Sequence, residues 1–288
     1  METLVVFGKL RKKSSGKRGT SPVVSTVIMT GAMVAILSVT LVFANNFLWS
    51  RVAEGDFNSS KQLMQTVGLQ IDDVAWTVGR TETIRYASQY GEVVFESSAL
   101  TYNVSVNGGE PEQYETGILM FNLPTSRYSI TNNYWENIFP DQNESLTLKG
   151  TSAPVARVFA VERLPMSDGS YIRVVVAPSV RVLFSSINSS TNTCYIRMYL
   201  PVLSAGESPR LSQSITLTGE SVEAHTTNDV TSISVTVGFP KEAEPEYLDS
   251  DFFNFPFESE NITIPSGYDN VVFELYLSEV SVEFGLNY

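Results

Sequence analysis

The distribution of apolar and polar residues divides the chain into three regions with different periods. From Thr20 to Ser50 no residue carries a charge, and apolar side chains occur on every side of a helix built from this stretch. From Asp56 to Gly79, apolar residues recur at steps of three and four, which is the period of an α-helix with one buried face. After Gly79 the period falls to two, which is typical of β-strands.

The uncharged stretch predicts a helix that lies in an apolar environment. It exceeds the roughly 20 residues that an α-helix needs to cross a bilayer, and a helix that is apolar on all sides is not stable in water. Pro22 would stand in the first turn, where its missing N–H has no partner to lose, and Ser21 can cap that end. Trp49 and Arg51 end the run in the way that residues at a membrane interface do.

The second region predicts an amphipathic continuation of the helix that ends at Gly79, a residue type common just after a helix. Asn58, Ser59 and Ser60 are poor helix formers, and we expect a kink or break there. The expected buried stripe consists of Leu63, Val67, Ile71, Val74 and Val78.

The third region predicts about ten short strands. Tyr102, Val104 and Val106 alternate with polar residues, and Asn107-Gly108-Gly109 then predicts a hairpin turn. In the last strand, the apolar residues change parity, which predicts a bulge or a turn near Ser278–Glu279. The expected fold class is α+β, with a long N-terminal hydrophobic and amphipathic α-helix followed by a mainly antiparallel β-sandwich head at residues 80–288.

Charge is distributed unevenly. The first 19 residues hold six Lys or Arg and one Glu, which leaves −17 on the remainder of a chain whose net charge is −12. A basic end before an apolar run indicates that this end stays in the cytoplasm, and the acidic remainder argues against nucleic acid as a partner. The acidic segment Lys241–Asn261 is expected to form a solvated loop, because its carboxylates lack the spacing of a calcium-binding loop.

The candidate chemistry is sparse. The chain has one Cys, Cys194, and one His, His225, so the usual zinc sites cannot form and no disulfide can form within the chain. No phosphate-binding loop, dinucleotide motif or nucleophile elbow is present. We therefore expect no enzyme activity, no catalytic residue, no metal site and no cofactor. Cys194 is expected to be a buried residue of a strand, and His225 to be exposed.

Residues 17–24, Lys-Arg-Gly-Thr-Ser-Pro-Val-Val, place two basic residues and a glycine directly before the apolar run. This arrangement resembles the class III signal of archaeal type IV pilins and related filament subunits. The resemblance implies that a prepilin peptidase recognises Lys17 and Arg18 and cuts between Gly19 and Thr20. The fifth residue of the mature chain would be Val24, where bacterial pilins usually carry Glu and archaeal ones do not.

The resemblance also implies a domain organisation and a set of partners. Residues 1–19 would be the leader, 20–50 the membrane and filament-core helix, and 51–79 its amphipathic continuation. The chain would reside in the cell membrane with a cytoplasmic N-terminus, and then in an extracellular filament. Its partners would be the membrane, the peptidase, an assembly platform with its ATPase, and other pilin subunits. The expected filament-core residues are Pro22, Val23, Val24, Val27, Ile28, Gly31, Val34, Leu37 and Leu41.

Glycosylation is a further expectation for an outward-facing domain. Surface glycosylation is common in archaeal pilins, and Asn-x-Ser/Thr is the acceptor sequence. Five such sequences occur, at Asn58, Asn103, Asn143, Asn188 and Asn261.

Other hypotheses share the same N-terminal stretch. An uncleaved single-pass surface protein with a ligand-binding β-sandwich ectodomain would keep Met1 and would not polymerise. A cleaved secretory signal would free the head after Trp49, and the head could then be a secreted enzyme that acts on glycans with two carboxylates.

Overall fold

The computed structural model describes residues 22–131, 133–140, 146–162, 171–187, 192–206, 213–242, 248–255 and 257–285. It contains two helices, α1 (Pro22–Ala75) and α2 (Ser250–Phe253). The strands are β1 (Thr81–Arg85), β2 (Glu92–Val106), β3 (Glu112–Pro124), β4 (Tyr134–Phe139), β5 (Thr147–Lys149), β6 (Ala156–Glu162), β7 (Tyr171–Pro178), β8 (Val180–Ile187), β9 (Thr193–Ala205), β10 (Ser214–Thr227), β11 (Ile233–Gly238), β12 (Ser259–Ile262) and β13 (Asn270–Phe284). The chain divides into two units, Met1–Leu48 and Trp49–Tyr288.

The break expected near Asn58, Ser59 and Ser60 does not occur, since α1 remains helical through these residues. Ser60 is buried, and its hydroxyl donates to the carbonyl oxygen of Phe57 at 2.7 Å. A hydroxyl that bonds to the preceding turn needs no other partner, so the helix can bury it. Asn58 and Ser59 face solvent, where their weak helix propensity costs only a fraction of 1 kcal/mol each.

The expected buried stripe of α1 is correct in its centre and wrong at its end. Val67, Ile71 and Val74 are fully buried, but Val78 is 62% exposed because the helix ends at Ala75. The buried face extends in the other direction instead, toward the N-terminus. Its members are Ala53, Phe57, Ser60, Met64, Val67, Gly68, Ile71, Val74 and Ala75.

The strands form two sheets, one of six strands in the order β1-β10-β13-β9-β8-β5 and one of seven in the order β12-β11-β2-β3-β7-β6-β4. The six-stranded sheet is mixed, since β13 runs parallel to β9 and β5 parallel to β8. Both sheets curl into half-barrels, so the expected antiparallel sandwich is wrong in detail. Register shifts in β10, β2 and β4 contribute to the curl, because a bulge bends its strand and increases the twist.

The seven-stranded sheet is buried on both faces at its centre. Alternate residues of β6 and β7 point into two separate cores, so every residue of β6 is buried. One core lies between the two sheets and includes Phe159, Val161, Val175, Ala177, Ile196 and Phe273. The other lies against α1 and includes Val158, Ala160, Val174, Val176, Val67 and Ile71.

The change of parity in β13 has a different cause from the one expected. Phe273 and Leu275 belong to the core between the sheets, whereas Val280 and Val282 belong to the core against α1. The strand therefore buries one face in its first part and the opposite face in its second. The register shift is not in β13 but in its partner β10, between Gly219 and Ser221.

The predicted hairpin between β2 and β3 is confirmed. Asn107 and Gly108 both have positive φ, at 54° and 68°, and the N–H of Gly109 donates to the carbonyl oxygen of Val106 at 3.0 Å. Two successive positive φ values define the tight turn that matches the twist of a two-stranded ribbon.

The acidic segment Lys241–Asn261 is not simply the loop that its composition predicts. It contains α2 and β12, and the side chain of Asp249 caps α2 by accepting from the N–H of Phe252 at 3.0 Å. Three of its aromatic residues, Phe252, Phe253 and Phe255, are buried in the core between the sheets, whereas Phe257 is exposed. Burial of these rings, rather than the charges, decides the structure of the segment.

Candidate membrane and assembly surface

The first part of α1 exposes all of its side chains within the described structure. Every residue from Pro22 to Leu48 is exposed, and the stretch contains no charge. Among the described residues, α1 is the one helix that is long and apolar enough to cross a membrane. All of the predicted filament-core residues lie on this exposed stretch: Pro22, Val23, Val24, Val27, Ile28, Gly31, Val34, Leu37 and Leu41.

The threonine hydroxyls of this stretch are hydrogen-bonded within the helix. Those of Thr26, Thr30 and Thr40 donate to the carbonyl oxygens of Pro22, Thr26 and Ile36, at 2.9, 2.9 and 2.8 Å. In lipid or in a dry protein core, an unpaired hydroxyl costs several kcal/mol. The stretch can therefore enter either environment without leaving these donors unpaired.

Small residues lie along one side of the same stretch. Gly31, Ala35 and Ser38 are spaced by four and three residues, so they share a face of the helix. Apart from the neighbouring residues and the backbone of the helix itself, no described atom lies within 4 Å of the position where a side chain on Gly31 would begin. Small residues at this spacing allow a second helix to approach closely.

The second part of α1 is fixed to the head by polar contacts as well as by its apolar face. The Asp56 carboxylate accepts hydrogen bonds from the hydroxyl of Ser88 at 3.0 Å and from the N–H groups of Gln89 and Tyr90 at 2.9 and 3.1 Å. Lys61 forms an ion pair with Glu136 of β4. These contacts hold the helix to the segment between β1 and β2 and to the edge of the seven-stranded sheet.

A third polar contact lies near the C-terminal end of α1. The Asp72 carboxylate accepts from the indole N–H of Trp76 at 2.8 Å and from the guanidinium of Arg181 at 3.0 Å. Arg181 also lies 4.8 Å from the ring centroid of Tyr199. The pair ties α1 to β8 and β9 of the six-stranded sheet.

The last turn of α1 packs directly on the backbone of β10 at Gly219. A side chain at Gly219 would begin 2.3 Å from the carbonyl oxygen of Val74 and 2.8 Å from that of Thr77. Only glycine allows this approach, and the N–H of Gly79 then donates to the carbonyl oxygen of Gly219 at 2.7 Å. The end of the helix is thus built into the six-stranded sheet.

An aromatic and basic cluster lies where the head begins. The guanidinium carbon of Arg127 is 5.3 Å from the ring centroid of Trp49 and 5.1 Å from that of Tyr90. Trp49 is 46% exposed, and Arg51 forms an exposed ion pair with Glu54 at 2.8 Å. Trp49 and Arg51 were expected from the sequence, whereas Arg127 and Tyr90 come from turns and carry no sequence pattern that marks them.

Several predicted residues lie outside the described structure. They are the cleavage residues Lys17, Arg18, Gly19 and Thr20, and the glycosylation candidates Asn143 and Asn188. Of the other candidates, Asn58 and Asn261 are exposed. Asn103 is half-buried in β2, and its amide donates to the hydroxyl of Thr236 at 3.3 Å. Asn103 is therefore the least accessible of the three.

Cys194 and His225 do not meet. Cys194 is buried in β9 and His225 is exposed on β10, as expected, and β13 lies between these strands. Burial raises the pKa of the Cys194 thiol. Among the described residues, no group of three His, Cys, Asp or Glu side chains is placed to hold a metal ion.

One cavity of about 290 Å³ lies beside α1 in the head. Its lining includes Asp56, Thr66, Arg85 and Ser88, together with the ring of Phe121. The Asp56 and Ser88 side chains are already hydrogen-bonded to each other.

Comparison with known proteins gives no match. No protein-family model fits the sequence, no curated protein matches it, and no solved structure matches the fold.

Proposed function

We propose that this chain is a structural subunit, major or minor, of a surface filament resembling archaeal type IV pili. In this proposal a prepilin peptidase removes residues 1–19 by cutting between Gly19 and Thr20. An assembly platform and its ATPase then move the apolar part of α1 from the membrane into the filament core. The head, with any glycans on Asn58 or Asn261, faces outward and can serve adhesion.

The observation that carries the proposal is the contrast within α1. No residue from Pro22 to Leu48 is buried, whereas nine residues of the following part of α1 are buried in the head. A helix with so much exposed apolar surface needs lipid or protein around it. A pilin subunit uses both in turn, first the bilayer and then the apolar helices of neighbouring copies.

Removal of the leader has a physical reason in this proposal. Six basic residues precede Thr20, and in the membrane they would stay at the cytoplasmic surface. In a filament the same charges would lie beside the apolar core, where burial of an unpaired ammonium or guanidinium is strongly unfavourable. Cleavage before the apolar run therefore permits assembly.

The N-terminal residue of the protein recovered from its membrane or filament fraction tests the proposal. We expect a chain that begins at Thr20, and we expect the Gly19→Trp variant to remain uncleaved and unassembled. Ser14→Trp, farther from the cleavage site, is the matched control and should be cleaved normally. A Gly19→Trp chain that assembles at full length would refute the proposed processing.

The alternative is an uncleaved, membrane-anchored surface protein with a ligand-binding β-rich ectodomain. The cavity beside α1, lined by Asp56 and Arg85 among others, favours this candidate over a purely structural head. It predicts an intact Met1 and no polymer of the chain. Recovery of a chain that starts at Met1 would therefore support this alternative.

A further inference from the structure

We propose that Arg127, held between Trp49 and Tyr90, binds the phosphate of an anionic phospholipid while the chain is in the membrane. The cluster of Trp49, Tyr90 and Arg127 is termed the interface cluster below. The inference rests on the membrane-inserted state of the proposed function, a state that the uncleaved alternative shares.

The geometry suits a phosphate ligand. The guanidinium of Arg127 lies over the faces of two rings, at 5.3 Å from the Trp49 centroid and 5.1 Å from the Tyr90 centroid. Contacts with aromatic faces leave the N–H groups at the edge of the guanidinium plane available as donors. A guanidinium presents these donors in the fork that matches a phosphate.

Charge distinguishes Arg127 from the other arginine near Trp49. Arg51 is paired with the carboxylate of Glu54 at 2.8 Å. Within the part of the chain that the structure describes, Arg127 forms no ion pair, and its side chain is exposed. In a chain with a net charge of −12, an exposed and unneutralised arginine beside an interfacial tryptophan favours an anionic partner.

The interface cluster is held in place by the packed part of α1. The Asp56 carboxylate accepts from the N–H of Tyr90 at 3.1 Å, which fixes the backbone that carries the second ring. The residue after Arg127 also contacts the helix: the ring centroid of Tyr128 lies 5.4 Å from that of Phe57, which is buried on α1. The turn that carries Arg127 is thus attached to the helix at the residue that follows it.

The length of the apolar stretch brings the interface cluster to the level of the headgroups. The 28 residues from Pro22 to Trp49 correspond to about 42 Å of helix at about 1.5 Å per residue. A bilayer measures about 40–45 Å including its headgroup regions. With the basic residues before Thr20 at one surface, Trp49 reaches the opposite headgroup region, where tryptophan is enriched in membrane proteins. Arg127 stacks on that tryptophan and therefore meets lipid phosphates.

The test measures lipid selectivity of the full chain in phosphatidylcholine bilayers. Spin-labelled phosphatidylglycerol and spin-labelled phosphatidylcholine are compared for their association with the wild type and with the Arg127→Gln variant. We expect the preference for phosphatidylglycerol to fall by up to about fivefold in the variant, the effect of one basic residue near a membrane surface. Arg80→Gln, an exposed arginine that follows the C-terminal end of α1 and lies outside the interface cluster, is the control and should keep the preference.

A second readout separates this inference from the membrane state on which it rests. Resistance of the chain to alkaline carbonate extraction reports insertion, and Arg127→Gln should remain as resistant as the wild type. Unchanged lipid selectivity in an inserted Arg127→Gln variant would overturn the inference while leaving the proposed function intact. If Arg127→Gln instead lost only filament assembly, the cluster would be a contact between subunits. Extraction of the wild type itself would refute the membrane state, and with it both proposals.

Discussion

The two parts of α1 are similar in length but differ in what surrounds them and in how their polar groups are paired. From Pro22 to Leu48 every side chain is exposed, and the threonine hydroxyls bond to the helix itself. From Trp49 to Ala75 one face is buried, and Asp56, Lys61 and Asp72 form contacts with the sheets. Because only the second part buries side chains in the head, only that part stabilises the head. The apolar side chains of the first part are exposed, and a helix of this composition needs lipid or other protein around it.

The largest expected effect contrasts one buried and one exposed aliphatic residue. Ile71→Ala should lower the free energy of unfolding of the head by about 2–5 kcal/mol, because Ile71 is fully buried and its truncation leaves a cavity. Leu37→Ala, at a position that is 61% exposed, should change it by less than about 0.5 kcal/mol. Denaturant unfolding of the full chain in detergent micelles measures both. Equal losses would contradict the division of α1 into two roles.

A smaller effect is expected from the polar contacts of the second part. Asp56→Ala removes the acceptor of two backbone N–H groups and one hydroxyl, and it should cost about 1.5–3 kcal/mol, the range for hydrogen bonds to a charged group. Hydrogen exchange at the backbone N–H groups of Gln89 and Tyr90 should become faster in the same variant.

Asp73→Ala is the control for Asp56→Ala. Its carboxylate pairs with Arg80 at 3.0 Å but is 55% exposed, so its loss should cost less than about 1 kcal/mol. An Asp56→Ala head as stable as the control would show that this contact does not hold α1.

The smallest expected effect is the dependence of the free energy of unfolding of the head on pH. Only the second part of α1 can contribute to it, since no titratable side chain lies between Thr20 and Ser50. Partial burial raises the pKa of Glu136, but hydrogen bonds from Lys61 and Tyr134 outweigh burial and bring the pKa below the ordinary 4.5. The folded head thus binds this proton less readily than the unfolded chain. The contribution of Glu136 is complete above pH 4.5 and is lost as the pH falls through the lower folded value.

Two variants test that dependence. Glu136→Gln and Lys61→Met each remove one member of the ion pair, and both should flatten the dependence of the free energy of unfolding on pH below 4.5. The expected change is below about 1 kcal/mol for a partly exposed pair. An unaltered slope in Glu136→Gln would assign the acid sensitivity to other carboxylates. A flattened slope in Glu136→Gln alone would exclude Lys61 as its cause.

Local patterns predicted the elements that depend on neighbouring residues. The helix, the centre of its buried stripe and the turn at Asn107-Gly108 follow from composition and period over a few residues. The sequence-based predictions were wrong where contacts between residues far apart in the chain determine the structure. Val78 lies beyond the helix, which ends at Ala75 where its last turn packs on Gly219 of β10. The apparent bulge in β13 reflects two cores on opposite faces of one strand.

The interface cluster illustrates why part of the candidate site could not be predicted. Trp49 ends the uncharged stretch and can be recognised as an interface residue from the sequence alone. Arg127 and Tyr90 lie in irregular segments with no period, and only the packing of those segments on α1 brings them to Trp49. The buried phenylalanines of Lys241–Asn261 were missed for a related reason, since carboxylates surround them in the sequence.

The sequence by itself determined the uncharged helix, its amphipathic continuation and the change to β-structure, because each depends on the period of apolar residues along a short stretch. The tertiary structure alone decided how the two sheets curl, which strands bury both faces and which side chains fix α1 to the head. Those features depend on contacts between residues far apart in the chain, and a local pattern does not encode which partner each face will meet. The strand β13 shows this most directly. Its apolar residues predicted a strand, but only the tertiary structure shows that its first part buries one face in the core between the sheets and its second part buries the opposite face in the core against α1.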